Sequence, residues 1–449
     1  MKDIDYQSYT TKPSSSLDHL PGETGWPILN QTVEFLLDSK AQSKRLSEKY
    51  GLLFRGRVLF QDTVVALGPE ANKAVLMDSD GIYSNKLAWD PILDKLFPNG
   101  LMLRDFEEHK HHRRIMQSAF KKHALEGYVS RMVPHFQRGV QDFAGRKKFG
   151  FKTAIKELLL DGAAEVFLGI DMGDRAHKIN QAFIDTMMGS TAVVKVPLPF
   201  NSWGKALKGR ATLESFIAEH IQAKRKNPGP DFFSQICQAK DEEGNYFSDH
   251  AVRDHIIFLL FAAHDTTTST LCSVLYFLSK NQEWQSKLHQ EFSALPEELS
   301  FDDLATMENS VLVFKESLRL RPPLTSITRR CLQETELLGH KIPSNAQISI
   351  SPLFTHYMAE CWDRPEAFEP DRFGPERAEH KRHSYQWVPF GGGAHKCIGL
   401  NFAELQVKLF LFHLLRNYKV MVADDYDMKV NWVPLTFPRD EMQVRLEPR

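Results

Sequence analysis

The sequence predicts a mainly α chain with small β-sheets, an α+β fold in one integrated domain, and three observations predict it. Helical patterns dominate from about Phe106 to Leu320. The strand-like pieces "ITRRC", "TELLG", "AQISISP", "YKVMV" and "EMQVRLEP" are short and cluster after that body. No internal repeat, low-complexity linker or shift of composition divides the 449 residues, so residues 16–449 read as a single unit.

Taken in order, residues 1–15 are polar and read as disordered. "LPGETGWP" (20–27) sets two prolines and two glycines in a rigid entry turn. "DTVVALGPEANKAVLMDS" (62–79) alternates like a strand, then turns helical after Pro69. "KINQAFIDTMMGS" and "LESFIAEHIQAKRK" are helices separated by the proline-rich connector "VPLPFNSW" (196–203). The longest helical run is "SDHAVRDHIIFLLFAAHDTTTSTLCSVLYFLSKN" (248–281), and the cluster of small strands follows it.

The bulk numbers exclude several classes. A net charge of -1 leaves no basic excess for nucleic acid. Five scattered cysteines with no CxxC pair speak against a disulfide framework and for a reducing, cytoplasmic setting. The N-terminus lacks the apolar core of a signal peptide. The most apolar stretch, "HIIFLLFAAHDTTTSTLCSVLYFL", is interrupted by His264, Asp265 and four threonines, so no membrane anchor is expected.

That same stretch carries a chemical question. Asp265, Thr266 and Thr267 sit inside an otherwise apolar helix, and a buried carboxylate is costly unless paired. The plainer reading is a satisfied polar pair, with threonine hydroxyls bonded back to the preceding turn. The sharper reading is an acid beside an alcohol, placed to deliver protons. Small Ala262 and Ala263 would let something flat lie against the helix.

Two further patterns call for partners. In "VFKESLRLRPPL", Glu316 and Arg319 share a helix face, and Pro322 and Pro323 end that helix. Such a pair is usually a solvated surface, but Leu312, Val313, Phe314 and Leu318 around it imply burial, with Arg372 of "FEPDRF" as a third member. In "VPFGGGAHKCIGL" (388–400), three glycines allow a tight backbone against a bulky ligand. Cys397 then precedes an apolar helix, whose N-terminal N–H groups favour a thiolate. A nucleophile would need a base and an acid, and only His395 is near. Zinc would need further ligands at metal spacing, and none is offered. His109, His111 and His112 do not make such a set, since only His109 and His112 share a helix face. A lone thiolate suffices for haem iron.

With these residues in view, the chain resembles the cytochrome P450 superfamily. Phe390, Gly391, Gly393, His395, Cys397 and Gly399 in "FGGGAHKCIG" match its haem-binding signature. Glu316, Arg319 and Arg372 match its Glu–Arg–Arg triad, and "AAHDTT" resembles its oxygen-activation motif, with Ala263 where the family usually has glycine. The connector "VPLPFNSWGKALKGR" resembles that of the branch holding sterol demethylases, retinoic acid hydroxylases and their bacterial relatives.

The resemblance implies a haem-thiolate monooxygenase fold, with haem b (iron protoporphyrin IX) between the long helix and the cysteine loop. Cys397 would be the axial iron ligand. His109 and Arg113 in "HKHHRRIMQSAF", Arg329 and His395 would hold the propionates. Phe390 and Gly391 would line the cysteine face of the haem, and Ala262 the opposite one. Asp265 and Thr266 would be the catalytic acid and alcohol. A separate ferredoxin or flavodoxin with its reductase would supply electrons, docking at the basic stretches "HKHHRRIMQSAFKKH" and "ERAEHKRH". The co-substrate would be O2. The expected pocket is apolar, with Leu87, Trp89, Ile92, Phe258, Phe261, Ala262, Ile327, Thr436 and Phe437 as walls. It would take a lipophilic terpenoid, retinoid, steroid or fatty acid. The rival readings are a peroxygenase or peroxide isomerase and, more remotely, a haem carrier or sensor without catalysis.

Overall fold

The computed structural model describes residues 4–11, 16–25, 31–58, 61–170, 173–190, 192, 195–198 and 200–449. Its spine is the central helix Asp249–Lys280, 32 residues long. Ser248 caps its start by accepting the Ala251 N–H, which satisfies one of the orphan donors of the first turn. The helix is apolar on nearly every face, so neighbours must cover it all round. They do: helices Phe151–Ala163, Ser202–Lys226, Glu308–Leu320 and Leu400–Leu415 pack against it.

These helices share one apolar core that runs from Leu93 to Val444 in sequence. Helix Leu400–Leu415 deserves its own explanation. The run Gly393–Leu415 is apolar enough by composition to cross a bilayer, a signal the sequence reading passed over. It is 67% buried against the other helices, as a core helix should be.

The strands form small sheets, as the short apolar runs imply. The largest has five strands in the order Leu53–Val58, Gln61–Ala66, Gln347–Ile350, Ile327–Cys331 and Tyr83–Ser84. Gln61–Ala66 runs parallel to Gln347–Ile350, with Val64 opposite Ile348. The antiparallel pairing of Arg329 with Ile348 fixes the register of the arginine strand. A second, smaller core beneath this sheet includes Val64, Val75, Leu76, Ile348 and Val388. It ties helix Pro69–Met77 to the start of the cysteine loop.

The N-terminal expectation changes for residues 4–11. Tyr6–Thr11 form a short helix. The Tyr6 hydroxyl donates to Asp105 at 3.2 Å and the Tyr9 hydroxyl donates to the Leu332 carbonyl at 2.7 Å. Two aromatic anchors outweigh the polar composition that argued for disorder. The rest of that call, residues 1–3 and 12–15, lies outside the described residues, as do Trp26 and Pro27 of the entry turn and Pro199 of the connector.

Candidate functional site

The cysteine loop is built by hydrogen bonds from its two ends. The Gly391 N–H donates to the Val388 carbonyl at 3.0 Å, and the Cys397 N–H donates to the Phe390 carbonyl at 2.9 Å. Gly391 and Gly393 adopt φ of 65° and 60°, a region that side chains disfavour. A Cβ on Gly393 would lie 1.8 Å from the Leu76 carbonyl oxygen, and one on Gly392 2.9 Å from the Tyr385 ring. The expectation that the glycines serve a ligand is therefore corrected at 392 and 393. They let the loop close onto helix Pro69–Met77. At Gly391 the nearest atom is Ile327 Cδ1 at 3.7 Å, so the backbone angle is the constraint there.

Cys397 presents an accessible thiol at the end of this loop, three residues before helix Leu400–Leu415. Although its sulfur is open to solvent, the protein packed around it disfavours the charge and pushes the thiol up, against the Gly399 N–H, the Arg113 guanidinium and the Lys396 ammonium, which favour the thiolate.

Around the thiol the structure gathers four of the expected cofactor residues. The rings of His109 and His395 stack with centroids 3.8 Å apart. Burial, and then Arg113, Arg329 and Arg104, hold His109 down to about 4, while burial, then the His109 ring and Arg329 and Arg113, hold His395 well below the usual range. Arg329, 5% exposed, bonds among the described residues to its neighbour's carbonyl, Thr328 O, at 2.8 Å, and burial lowers it to about 10. The Arg113 guanidinium has no carboxylate partner among the described residues, and burial lowers it too. Asp105 and Asp78 act on Arg329 only from beyond ion-pair distance, so burying these two guanidiniums is unfavourable as it stands. Two carboxylates would satisfy them. Haem, with an iron for the thiol and two propionates for this cluster, fits the donor set. No group of three or more metal-ligating side chains exists among the described residues to argue for another metal centre.

Beneath the loop, the Glu316–Arg319 pair is fully buried and not a solvated face. Glu316 accepts from Arg319 Nε at 2.7 Å and Nη2 at 2.9 Å, from Arg372 Nε at 3.0 Å and from the Glu369 N–H at 2.8 Å. Arg372 is the third member, as expected. A fourth was missed: Glu379 accepts from Arg372 Nη1 at 2.8 Å, so two carboxylates balance two guanidiniums in the dry interior. His356 was missed as well. Its Nδ1 donates to the Arg319 carbonyl at 3.0 Å while its Nε2 accepts the Val388 N–H at 3.1 Å. These roles fix a neutral ring, and burial lowers it to about 3. No motif flags His356, because its partners are backbone groups distant in sequence.

On the central helix, Phe261, Ala262, Ala263, Asp265 and Thr266 are half-buried where most of their neighbours are buried. Thr266 Oγ1 donates back to the Ala262 carbonyl at 2.8 Å, and Thr268 and Thr270 repeat the pattern. The plainer reading thus fits the hydroxyls of Thr266, Thr268 and Thr270, and the acid is paired as well, its Oδ1 lying 2.9 Å from Lys156 Nζ on helix Phe151–Ala163. Thr267 Oγ1 donates to Gln406 Oε1 at 3.3 Å and joins this turn to the helix that follows the cysteine.

Among the expected pocket walls, Leu87 and Phe258 are buried, while Trp89, Phe261 and Ile327 are partly buried. Phe261 stacks on Phe97 at 4.1 Å, and Phe258 meets Phe97 edge-on at 6.4 Å. Phe97 was not among the expected walls. Thr436 has its hydroxyl satisfied by the Pro322 carbonyl at 2.6 Å, so it turns no free donor to a ligand. Ile92 is 39% exposed.

Comparison with known proteins agrees with this arrangement. The family model for cytochrome P450 matches residues 20–445. The chain is 36% identical over 444 residues to cytochrome P450 136 of Mycobacterium tuberculosis, covering 97% of this chain and 90% of the relative. It is 26% identical to the taxane 10-beta-hydroxylase of Taxus cuspidata, over 97% of this chain and 91% of the relative. The solved structure of the retinoic acid bound cyanobacterial CYP120A1 superposes with a TM-score of 0.86 at 26% identity, covering 96% and 99% of the two chains. The motifs, the fold and the cluster around Cys397 lead to one conclusion: the chain belongs to the cytochrome P450 family of haem monooxygenases.

Proposed function

We propose that this monooxygenase inserts one atom of O2 into an unactivated C–H bond of a lipophilic small molecule, a terpenoid, retinoid or steroid ahead of a fatty acid. The apolar walls Leu87, Trp89, Phe258, Phe261 and Ile327 support a lipophilic ligand, since burial of its surface is what they offer. The likeness to a taxane hydroxylase and to a structure holding retinoic acid favours a polycyclic or isoprenoid skeleton.

Haem b, when bound, supplies O2 reduction and the oxidation of the C–H bond. Cys397 would hold its iron, and His109, Arg113, Arg329 and His395 its propionates. Phe390 and Gly391 would lie on the cysteine side and Ala262 on the opposite side. Thr266 would hold a proton at Oγ1 for the oxygen being reduced, with Asp265 resupplying it. Electrons would come from a ferredoxin or flavodoxin served by its own reductase. Exposed Lys121 and Lys381 in the basic stretches and Lys396 beside the cysteine support an acidic partner. Within the basic stretches, Arg114, Arg382 and His383 already pair with Glu242, Asp363 and Glu70, so they contribute less.

The observation that supports this reading is the buried cluster of His109, Arg113, Arg329 and His395 beside Cys397, whose two arginines have no carboxylate at ion-pair distance among the described residues. The test is a panel of terpenoids, retinoids, steroids and fatty acids added to the purified holoprotein. Ligands of the right class should shift the haem spin state. They then give oxidised product with NAD(P)H and a surrogate ferredoxin pair. Product with peroxide but none with the electron donors would instead identify a peroxygenase.

A further inference from the structure

Asp105 stands where three elements meet. It precedes helix Phe106–Gln117, which carries His109 and Arg113, and it is 3% exposed. Its Oδ1 accepts the Asn85 N–H at 2.7 Å and the Lys86 N–H at 3.1 Å. Its Oδ2 accepts the Ser84 hydroxyl and, at 3.2 Å, the Tyr6 hydroxyl. A buried carboxylate is tolerated only when its lone pairs are used, and Tyr6 fills the last place. The Asn85 and Lys86 N–H groups open helix Lys86–Leu93, whose first donors have no acceptor within the helix. Ser84 extends this cap by accepting the Leu87 N–H at 2.9 Å.

Helix Lys86–Leu93 bears Leu87 and Trp89 and hangs from a weak support. The strand before it, Tyr83–Ser84, has two residues and lies at one edge of the five-stranded sheet, paired with Cys331 and Arg330. So short an edge opens at small cost. The N-terminal helix Tyr6–Thr11 packs on helix Lys86–Leu93 and bridges that edge with two feet. One is Tyr6 on Asp105, with the Lys86 ammonium 5.9 Å over the Tyr6 ring. The other is the Tyr9 hydroxyl, which donates at 2.7 Å to the Leu332 carbonyl, just past the strand Ile327–Cys331 that carries Ile327 and Arg329. Asn345 Nδ2 adds a bond to the Tyr9 carbonyl at 3.2 Å. Burial, and then the Asp105 charge, raise the Tyr6 hydroxyl, so it keeps the proton it donates. A helix of six residues does not hold in water by itself, so these feet are what seat it.

We propose that Tyr6 is a positioning residue: through Asp105 it makes helix Tyr6–Thr11 a strap that holds helix Lys86–Leu93 against the arginine strand, and release of the strap sets how fast ligands leave the pocket. Tyr6 acts through Asp105 and not on the iron, so the strap governs exchange and leaves the iron's ligand as it is. This rests on the reading of Leu87, Trp89 and Ile327 as pocket walls. It adds that a segment outside the pocket sets the residence time within it.

The test is stopped-flow absorption on the holoprotein, with phenylimidazole as the probe, since its ring nitrogen ligates haem iron and moves the Soret band. Tyr6→Phe and Tyr9→Phe keep the rings and remove the two hydroxyls. Tyr50→Phe is the control. It breaks a comparable tyrosine–carboxylate bond, to Glu23 at 3.0 Å, beside the opposite edge of the same sheet. In the double variant Tyr6→Phe/Tyr9→Phe the probe should leave about tenfold faster, with each single variant in between. The spectrum of the reduced carbon monoxide complex should not change, and hydrogen exchange at residues 84–93 should speed up in parallel. Tyr50→Phe should match the wild type in both. An unchanged dissociation rate in the double variant overturns the proposal. So does equal acceleration in Tyr50→Phe, which marks general loosening. If the double variant loses haem, the single variants decide by the same two outcomes. Wild-type holoprotein that takes up no phenylimidazole overturns the pocket reading itself, and the strap with it.

Discussion

The Val388 N–H donates to His356 Nε2 at 3.1 Å, and the other nitrogen of that ring donates to the Arg319 carbonyl at 3.0 Å. One imidazole thus couples the buried Glu316–Arg319–Arg372–Glu379 network to the first residue of the cysteine loop. His356→Leu leaves the Val388 N–H and the Arg319 carbonyl unpaired in the interior. Loss of about 2–4 kcal/mol of stability is expected, with lower haem occupancy, measured by denaturant unfolding and by the haem-to-protein absorbance ratio.

The same residue makes stability depend on pH. Its folded value, about 3, lies below the ordinary histidine value of 6.5. The unfolded state therefore binds the proton first. The stabilisation is fully present above 6.5 and is lost as pH falls towards 3, at up to about 1.4 kcal/mol per pH unit. Melting temperatures between pH 7 and 4.5 should fall less steeply in His356→Gln than in the wild type. Parallel curves would remove His356 from the acid sensitivity.

Breaking the buried charge network should be worse than losing one hydrogen bond. Glu316→Gln keeps the shape but removes the carboxylate that pairs with Arg319, leaving Glu379 and Glu369 to Arg372. A cost of about 3–5 kcal/mol is expected, enough to abolish soluble holoprotein at growth temperature. Glu316→Gln purified with wild-type stability would show that the network is not needed.

Gly393→Ala tests the corrected role of the glycines. The new Cβ would meet the Leu76 carbonyl on a backbone already at φ 60°. Destabilisation of about 2–3 kcal/mol should appear with the loop displaced from helix Pro69–Met77, whereas Gly391→Ala, whose Cβ would meet Ile327 Cδ1 only at an ordinary 3.7 Å, should cost about 1–2 kcal/mol. Differential scanning calorimetry of the two variants orders them.

Sequence and structure agree where chemistry forces a local pattern, and they part where partners come from afar. The apolar central run could only be a buried helix, and Glu316 with Arg319 could only share a face. Cys397 before a helix, with glycines ahead of it, was legible for the same reason. Glu379 was not legible, because its pairing with Arg372 depends on a loop path that no periodicity encodes. Nor was Lys156, whose contact with Asp265 depends on how two helices cross. The docked N-terminal helix escaped because two tyrosine hydroxyls, and no apolar stripe, hold it.

Thr266→Ala and Thr266→Ser separate the two readings of the central helix. The hydroxyl's bond to the Ala262 carbonyl is structurally dispensable, so both variants should fold and take up haem. In the alanine variant electrons should leave mainly as hydrogen peroxide, with coupled product down by about 10- to 100-fold, and serine should recover much of it. Tightly coupled product formation by Thr266→Ala would remove the alcohol from proton delivery.

The central claim is that Cys397 holds a haem iron as thiolate, with the cluster of His109, Arg113, Arg329 and His395 at its propionates. The absorption spectrum of the dithionite-reduced protein under carbon monoxide tests it most directly. The account predicts the strongly red-shifted Soret band of thiolate ligation in the wild type, and its replacement by the histidine-type band in Cys397→His. A wild-type spectrum with the histidine-type band in freshly purified protein, or the red-shifted band surviving in Cys397→His, would contradict it.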